Sequence, residues 1–154
     1  MTSLGGADIN RLLPIRQNKD AVLSLLKSVS DDLIYVFPIA EQMSGYIMFE
    51  AVGGVMNLLN EVENTHGSNC TSVDALIYAL HKDGRRILVP IEWKYTEAYG
   101  NEDKSIGEKG NTRKTRYCDL IANSKYLNSN VLSCCWFEPF YQLMRQTLWT
   151  EQIL

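Results

Sequence analysis

Two apolar segments separated by a short turn constrain the fold of this chain more than any other feature. Residues 71–80 and 86–96 are apolar over the length of β-strands, and an aspartate–glycine pair between them favours a tight turn. The sequence therefore predicts an antiparallel hairpin. Asp74 lies near the start of the first strand, and Glu92 and Lys94 lie at the end of the second.

Ionised side chains beside a hydrophobic core are costly unless they are paired or bind a metal. The charged residues at this end of the hairpin therefore indicate a divalent-metal site for phosphodiester hydrolysis. The alternative is a structural role, in which Glu92 and Lys94 only form the solvent-facing end of a strand.

Strand register decides whether Asp74 and Glu92 can share a metal ion. A two-residue loop would place the two carboxylates on opposite faces of the sheet. A three-residue loop ending in a left-handed Gly84 would pair them and would put Lys94 on the same face. A bulge at Pro90 could restore the same phase, so the sequence permits the functional register without forcing it.

Paired carboxylates about 5 Å apart at their Cβ atoms repel unless a cation lies between them. Mg²⁺ or Mn²⁺ is the expected ion, because both prefer oxygen ligands. Lys94 could orient or deprotonate the attacking water and stabilise transition-state charge. The expected third acid is Glu50, on a helix predicted over residues 44–59. Glu61 or Glu63 could supply this ligand instead, in which case Glu50 would be an ordinary surface residue.

The remaining pattern predicts one α/β domain, since 154 residues with 45% hydrophobic content can bury a single core. We expect a reduced, soluble, cytoplasmic protein, because no signal segment or membrane span is visible. Helices are predicted over residues 19–29, 44–59, 113–123 and 140–154. Strands are predicted over residues 33–37, 60–65, 71–80, 86–96 and 131–137, and a polar loop over residues 97–112.

Four cations and no acid occur between residues 109 and 116, although the net charge of the chain is −3. Two explanations remain open: a solvated loop, or a patch that contacts nucleic-acid phosphates. The second explanation assigns DNA binding to Lys109, Arg113, Lys114 and Arg116.

Other site chemistries find little support. His66 and His81 are the only histidines, and the four cysteines lack zinc-finger spacing. The chain has no GxSxG nucleophile motif and no glycine pattern of a Walker or dinucleotide-binding loop.

Asp74, followed by Glu92-Trp93-Lys94 at the end of a hydrophobic strand, resembles the PD-(D/E)xK signature of restriction-endonuclease-like nucleases. The resemblance extends over residues 45–154 to a bacterial group of that superfamily of unassigned role. It rests also on the flanking motifs Ser72-Val-Asp-Ala75, Ile91-Glu-Trp-Lys-Tyr-Thr-Glu97, Arg116-Tyr117 and Phe140-Tyr-Gln-Leu-Met-Arg-Gln-Thr-Leu-Trp149.

The resemblance implies a mixed sheet with an antiparallel meander flanked by helices in the core, residues 45–154. The residue pattern predicts that a helix and a strand in residues 1–44 precede this core. It implies that Asp74 and Glu92 bind Mg²⁺ or Mn²⁺, that Lys94 is the catalytic lysine, and that Glu50 matches the acid of the first core helix. Two side chains of the final helix would support the site, Gln142 and Arg145.

The chain departs from this family in two respects. No proline precedes Asp74, and the final core strand expected after the last helix is not evident before residue 154. Residues 131–137 could take that place if the helix over residues 113–123 is the crossover helix. Otherwise a partner could supply the strand, it could lie beyond residue 154, or it could be absent. The apolar last helix and an open sheet edge predict a homodimer.

The expected function is a Mg²⁺-dependent deoxyribonuclease. Two alternatives share the fold: a nucleic-acid-binding module without turnover, and a subunit that needs a partner for cleavage.

Overall fold

The computed structural model describes residues 11–39, 45–52, 59, 61, 70–93, 99–127 and 134–153. The chain forms two compact units. The first comprises Met1–Ala51 with Val73–Trp93, and the second comprises Val52–Ser72 with Lys94–Leu154. The expectation of a single nuclease-like domain stays a prediction.

The α/β class is confirmed by a four-stranded antiparallel sheet and three α-helices within these described residues. Strand β3 pairs with each of the other three strands, and its pairings with β1 and β4 are antiparallel. In chain order the elements are α1 (Lys19–Lys27), β1 (Leu33–Val36), β2 (Met48–Val52), β3 (Ser72–His81), β4 (Arg86–Ile91), α2 (Gly107–Asn123) and α3 (Phe140–Ile153), with 3₁₀ turns at Leu13–Ile15 and Cys134–Trp136.

Helix α1 begins as its sequence predicts. The Asn18 side chain accepts hydrogen bonds from the N–H groups of Asp20 and Ala21, both at 3.1 Å, which satisfies two donors at the helix start. Val22 and Leu26, four residues apart, are both buried. They join the core of the first unit, so this helix is held by its apolar face.

The two faces of β3 differ in burial. Ala75, Ile77 and Ala79 point into the core of the first unit. Because side chains alternate across a strand, Asp74 projects from the opposite face, where it is half-buried. The strand pattern thus keeps this carboxylate out of the hydrophobic core.

In the second unit, both long helices bury residues at helical spacing. Gly110, Tyr117 and Ile121 form the buried side of α2. A Cβ atom on Gly110 would clash with the Ser105 backbone, so only glycine permits this close approach. The buried residues of α3 are Tyr141, Met144, Gln146, Leu148 and Trp149.

The helix predicted over residues 44–59 is wrong at residues 48–52, which form β2. Ile47 and Ala51 are buried and Phe49 is half-buried. An apolar face this wide fits both a helical and an alternating period, and pairing with β3 decides in favour of the strand. Residues 53–58 lie outside the described part of the chain.

Two other predictions also need correction. Cys134–Trp136 is a 3₁₀ turn rather than part of a strand, because a short apolar run does not by itself distinguish the two. Helix α2 begins at Gly107, within the predicted loop. Glycines usually indicate a loop, but Gly110 is used inside the helix because a Cβ atom there would clash with the Ser105 backbone.

The strand predicted over residues 60–65, apart from Glu61, and residues 131–133 lie outside the described residues. None of the helices in the described ranges combines the length and apolar content required to cross a bilayer.

Candidate active site

The β3–β4 turn fixes the geometry of the hairpin end. The Gly84 N–H donates to the His81 carbonyl, and the His81 N–H donates to the Arg85 carbonyl, both at 2.9 Å. Gly84 has φ of +89°, in the left-handed region. This is the three-residue turn in which a left-handed residue restores strand pairing.

The register that follows from this turn is the one that brings the two carboxylates together. Pairing runs without a bulge at Pro90 as far as Ala75 and Ile91. Continued one step beyond the last pair, the same register would place Asp74 opposite Glu92, and strand alternation would put both on the same face. The register predicted for a three-residue loop is therefore confirmed.

The Asp74 carboxylate closes the end of this ladder. Its Oδ2 accepts a hydrogen bond from the Trp93 N–H at 2.8 Å. In an uninterrupted ladder, the alternation that begins at His81 and Arg85 would direct this N–H toward the Val73 carbonyl. The side chain takes the place of that backbone acceptor, which fixes one oxygen of the Asp74 carboxylate at the end of the hairpin.

Leu76 and Pro90 occupy a non-hydrogen-bonded position of the ladder, and Asp74 and Glu92 would occupy the next such position if the register continued. The missing N–H of Pro90 therefore costs β4 no bond to β3. Opposed Cβ atoms come closest at such positions, about 4.5–5.5 Å apart, so two ionised carboxylates repel there. A divalent cation would convert this repulsion into attraction.

These two carboxylates fit a Mg²⁺ or Mn²⁺ ion, which proteins often bind through one or two carboxylates together with water and substrate phosphate. Among the described residues, no three His, Cys, Asp or Glu side chains form a group able to hold a metal ion. Lys94 lies outside those residues. The register of the hairpin is thus compatible with a site that contains Asp74 and Glu92, and their catalytic roles stay a prediction.

Glu50 lies on β2 and not on a helix, which corrects its predicted setting. Its φ of +50° is left-handed, unusual for a residue with a Cβ atom. Such backbone costs about 1–2 kcal/mol and is found more often at functional sites than elsewhere. The role of Glu50 as a metal ligand stays a prediction.

The second unit contains a buried carboxylate, Glu61, for which the sequence predicted no role other than that of an alternative metal ligand. Glu61 is 6% exposed and accepts hydrogen bonds from three residues. The donors are the Thr71 N–H at 2.5 Å, the Thr71 hydroxyl at 2.7 Å, the Tyr117 hydroxyl at 2.7 Å and the Arg145 guanidinium at 2.9 Å. We call these four residues the Glu61 cluster.

The electrostatics of the Glu61 cluster favour an ionised glutamate. Burial raises the pKa of Glu61, but the hydrogen bonds from Thr71 and Tyr117 and the charge of Arg145 outweigh it and leave the pKa below its usual value. Burial raises the pKa of Tyr117 far above its usual value, so this phenol remains a neutral donor. For Arg145, burial lowers the pKa, but Tyr117 and Glu61 together raise it.

The two predicted supporting residues both lie on α3. Arg145 donates to Glu61 with its side chain 21% exposed, and Gln142 is half-buried. The spacing of Arg145 relative to Tyr141, Met144 and Leu148 could have indicated a cation at the edge of a buried helical face. No local sequence pattern indicated that Thr71 and Arg145 would both bond Glu61.

The predicted phosphate-contacting residues all lie on α2, including Lys109, which falls within the predicted polar loop. Lys109 and Lys114 are exposed and Arg116 is half-buried. Arg113 differs, because it donates to the Lys104 carbonyl at 2.9 Å and its guanidinium lies 5.6 Å from the centre of the Tyr141 ring. Arg113 therefore anchors the segment that leads into α2.

Comparison with known proteins identifies a class related to restriction endonucleases. The chain belongs to the REase-ARP family, described as "Restriction Endonuclease associating with ARP", whose family model matches residues 6–153. No curated protein and no solved structure matches the chain. The family membership suggests a restriction-endonuclease-like domain with a nuclease-related role.

Proposed function

We propose that this protein is a metal-dependent nuclease of the PD-(D/E)xK type that hydrolyses phosphodiester bonds of DNA. The supporting observation is the register of the β3–β4 hairpin, which sets Asp74 opposite Glu92 if it continues one step beyond Ala75 and Ile91. Lys94 follows Glu92 by two residues, the spacing that keeps strand residues on one face. Membership of a restriction-endonuclease family supports this chemistry.

The proposed roles follow from the chemistry of each side chain. Asp74, oriented by the Trp93 N–H, and Glu92 would hold Mg²⁺ or Mn²⁺. The bound ion would polarise the phosphate and lower the pKa of a water nucleophile. Lys94 would orient that water and stabilise the charge that develops on the phosphate oxygens.

Cleavage of DNA with and without Mg²⁺ or Mn²⁺ tests this proposal, with single-stranded, duplex, branched and RNA substrates in parallel. We expect DNA cleavage that requires the metal and is lost in Asp74→Asn and Glu92→Gln. Asp83→Asn is the matched control, because Asp83 lies in the same hairpin but binds Arg85. Metal-independent cleavage, or full activity in Asp74→Asn, would contradict the assignment.

Cleavage that requires a partner is a second form of the proposal, favoured by the family description, which associates the endonuclease with ARP. A protein that binds Mg²⁺ and DNA but cleaves only when ARP is added would support this form. Binding without cleavage in either condition would favour a module that has lost turnover.

We also propose that α2 contacts DNA phosphates through Lys109, Lys114 and Arg116. Each phosphate contact to duplex DNA contributes about 0.9 to the slope of log affinity against log salt. Lys109→Gln should reduce that slope by about this amount without unfolding the protein. Arg113→Gln should instead lower stability, because Arg113 bonds the backbone. An unchanged slope in Lys109→Gln would mean that the cations of α2 are only solvated.

Self-association is proposed from the exposed apolar side of α3. Phe140 and Leu143 are 50% and 52% exposed at helical spacing, and exposed apolar surface favours association. Sedimentation at micromolar concentration should show a dimer that Leu143→Glu dissociates. A monomeric wild type would refute the proposal.

A further inference from the structure

We propose that Glu61 is a positioning residue that fixes the beginning of β3, the strand that carries Asp74. The link runs through Thr71, which directly precedes the first residue of β3. The consequence for metal binding rests on the proposed function, whereas the effect on the strand itself does not.

Thr71 is held by Glu61 at two points. Its N–H donates to Oε2 of Glu61 and its hydroxyl donates to Oε1. Thr71 is 3% exposed, so water cannot readily replace either bond. Two bonds to one carboxylate fix both the backbone and the side-chain rotamer of Thr71.

Only a carboxylate can satisfy this arrangement. Each donor of the Glu61 cluster points at a glutamate oxygen, three at Oε1 and one at Oε2. A glutamine would keep one acceptor oxygen but would present an NH₂ group to at least one donor. A buried donor that faces another donor loses its bond and retains the cost of its desolvation.

The helices of the second unit hold the other side of Glu61. Tyr117 of α2 is 1% exposed, and Arg145 of α3 lies 5.6 Å from the centre of the Tyr141 ring. The Arg145 Nε is buried and has no hydrogen-bond partner among the described residues. Arg145 therefore depends on Glu61 for charge compensation, and Glu61 in turn connects α2 and α3 to Thr71.

Amide hydrogen exchange tests the positioning role without any assumption about catalysis. In Glu61→Gln, the amides from Thr71 to Asp74 should exchange at least tenfold faster than in wild type, after normalisation to the core amides of Ile77 and Ala79. The physical reason is the loss of a bond between the Thr71 N–H and a charged acceptor. Glu151→Gln is the matched control, because Glu151 also accepts a backbone N–H, from Lys125 at 2.8 Å.

A paramagnetic readout then tests the consequence for the metal. Mn²⁺ bound at Asp74 and Glu92 should broaden the NMR signal of the Trp93 amide. Glu61→Gln should raise the Mn²⁺ concentration needed for half the broadening by about tenfold, which is a typical effect of losing support around a metal ligand. Thr71→Ser should retain wild-type affinity, and Thr71→Val should reproduce part of the loss, because only serine keeps the hydroxyl.

The outcomes distinguish this proposal from the proposed function. Unchanged exchange from Thr71 to Asp74 in folded Glu61→Gln would overturn the positioning role. Faster exchange in a protein whose Trp93 signal never responds to Mn²⁺ would support the positioning role and refute the metal site. Faster exchange with unchanged Mn²⁺ affinity would show that Glu61 secures the strand but not the ligand, and would overturn the second half of the proposal.

Discussion

The end of the β3–β4 hairpin and the Glu61 cluster both depend on carboxylates, but the chain assembles them in opposite ways. The Asp74 carboxylate bonds an amide 19 residues away, across a single turn. The partners of Glu61 lie 10, 56 and 84 residues away, on other segments of the second unit. One site therefore follows from local register, and the other requires the completed packing of two helices.

The electrostatic difference between the two regions indicates their roles. Asp74 and Glu92 are half-buried, and a divalent cation would offset the repulsion between two carboxylates at opposed strand positions. Glu61 already has an internal cation in Arg145 together with three neutral hydrogen bonds. The first arrangement suits the binding of an external ligand, whereas the second suits the stability of the fold.

The largest expected effect separates two roles within the hairpin site. Asp74→Asn and Lys94→Ala should each slow DNA cleavage on the order of a thousandfold, because a metal site supplies several kcal/mol of transition-state stabilisation. Only Asp74→Asn should weaken metal binding in calorimetry, since Lys94 is proposed to act on the water. Equal metal affinity in both variants would contradict this division.

The next largest effect concerns the Glu61 cluster. Arg145→Met should destabilise the protein by about 3 kcal/mol, because it leaves the Glu61 charge buried without its cation. Tyr117→Phe should cost about 1–2 kcal/mol, since Glu61 keeps its other donors. Urea unfolding at pH 7 measures both, with exposed Lys109→Met as the control that removes a cation from the surface. Equal costs for Arg145→Met and Lys109→Met would show that the ion pair contributes nothing.

The sequence predicted the hairpin because its information is local. The glycine of the turn, the apolar alternation and the position of Asp74 all lie within residues 71–96, and the observed register was among the few that they allowed. The placement of Glu50 failed because Ile47, Phe49 and Ala51 fit a strand as well as a helix. The Glu61 cluster was not foreseen, because no local pattern relates Thr71 to Tyr117 or Arg145.

A smaller effect on stability is expected when the pH is lowered. The pKa of Glu61 in the folded protein lies below its value in the unfolded chain. Its contribution to stability is therefore fully present above the unfolded pKa and is lost as the pH falls through the folded pKa. The difference in unfolding free energy between wild type and Glu61→Gln should shrink as the pH is lowered from 6 toward about 3. A difference that stays constant over this range would mean that the Glu61 charge does not matter.

The smallest effect tests how much the turn itself contributes to the hairpin. Gly84→Ala should cost about 1 kcal/mol, because a Cβ atom disfavours the left-handed backbone of the turn. The cost should be purely conformational, since the added Cβ would meet no atom within 4 Å. Gly100→Ala is the matched control, because Gly100 has the same open surroundings without a left-handed φ, so its cost should be near zero.

Metal affinity should survive in Gly84→Ala, because the strand pairing beyond the turn also specifies the register through the buried face of β3. If Gly84→Ala instead abolished metal binding while the protein stayed folded, the turn alone would set the register, and the hairpin site would be less robust than the Glu61 cluster.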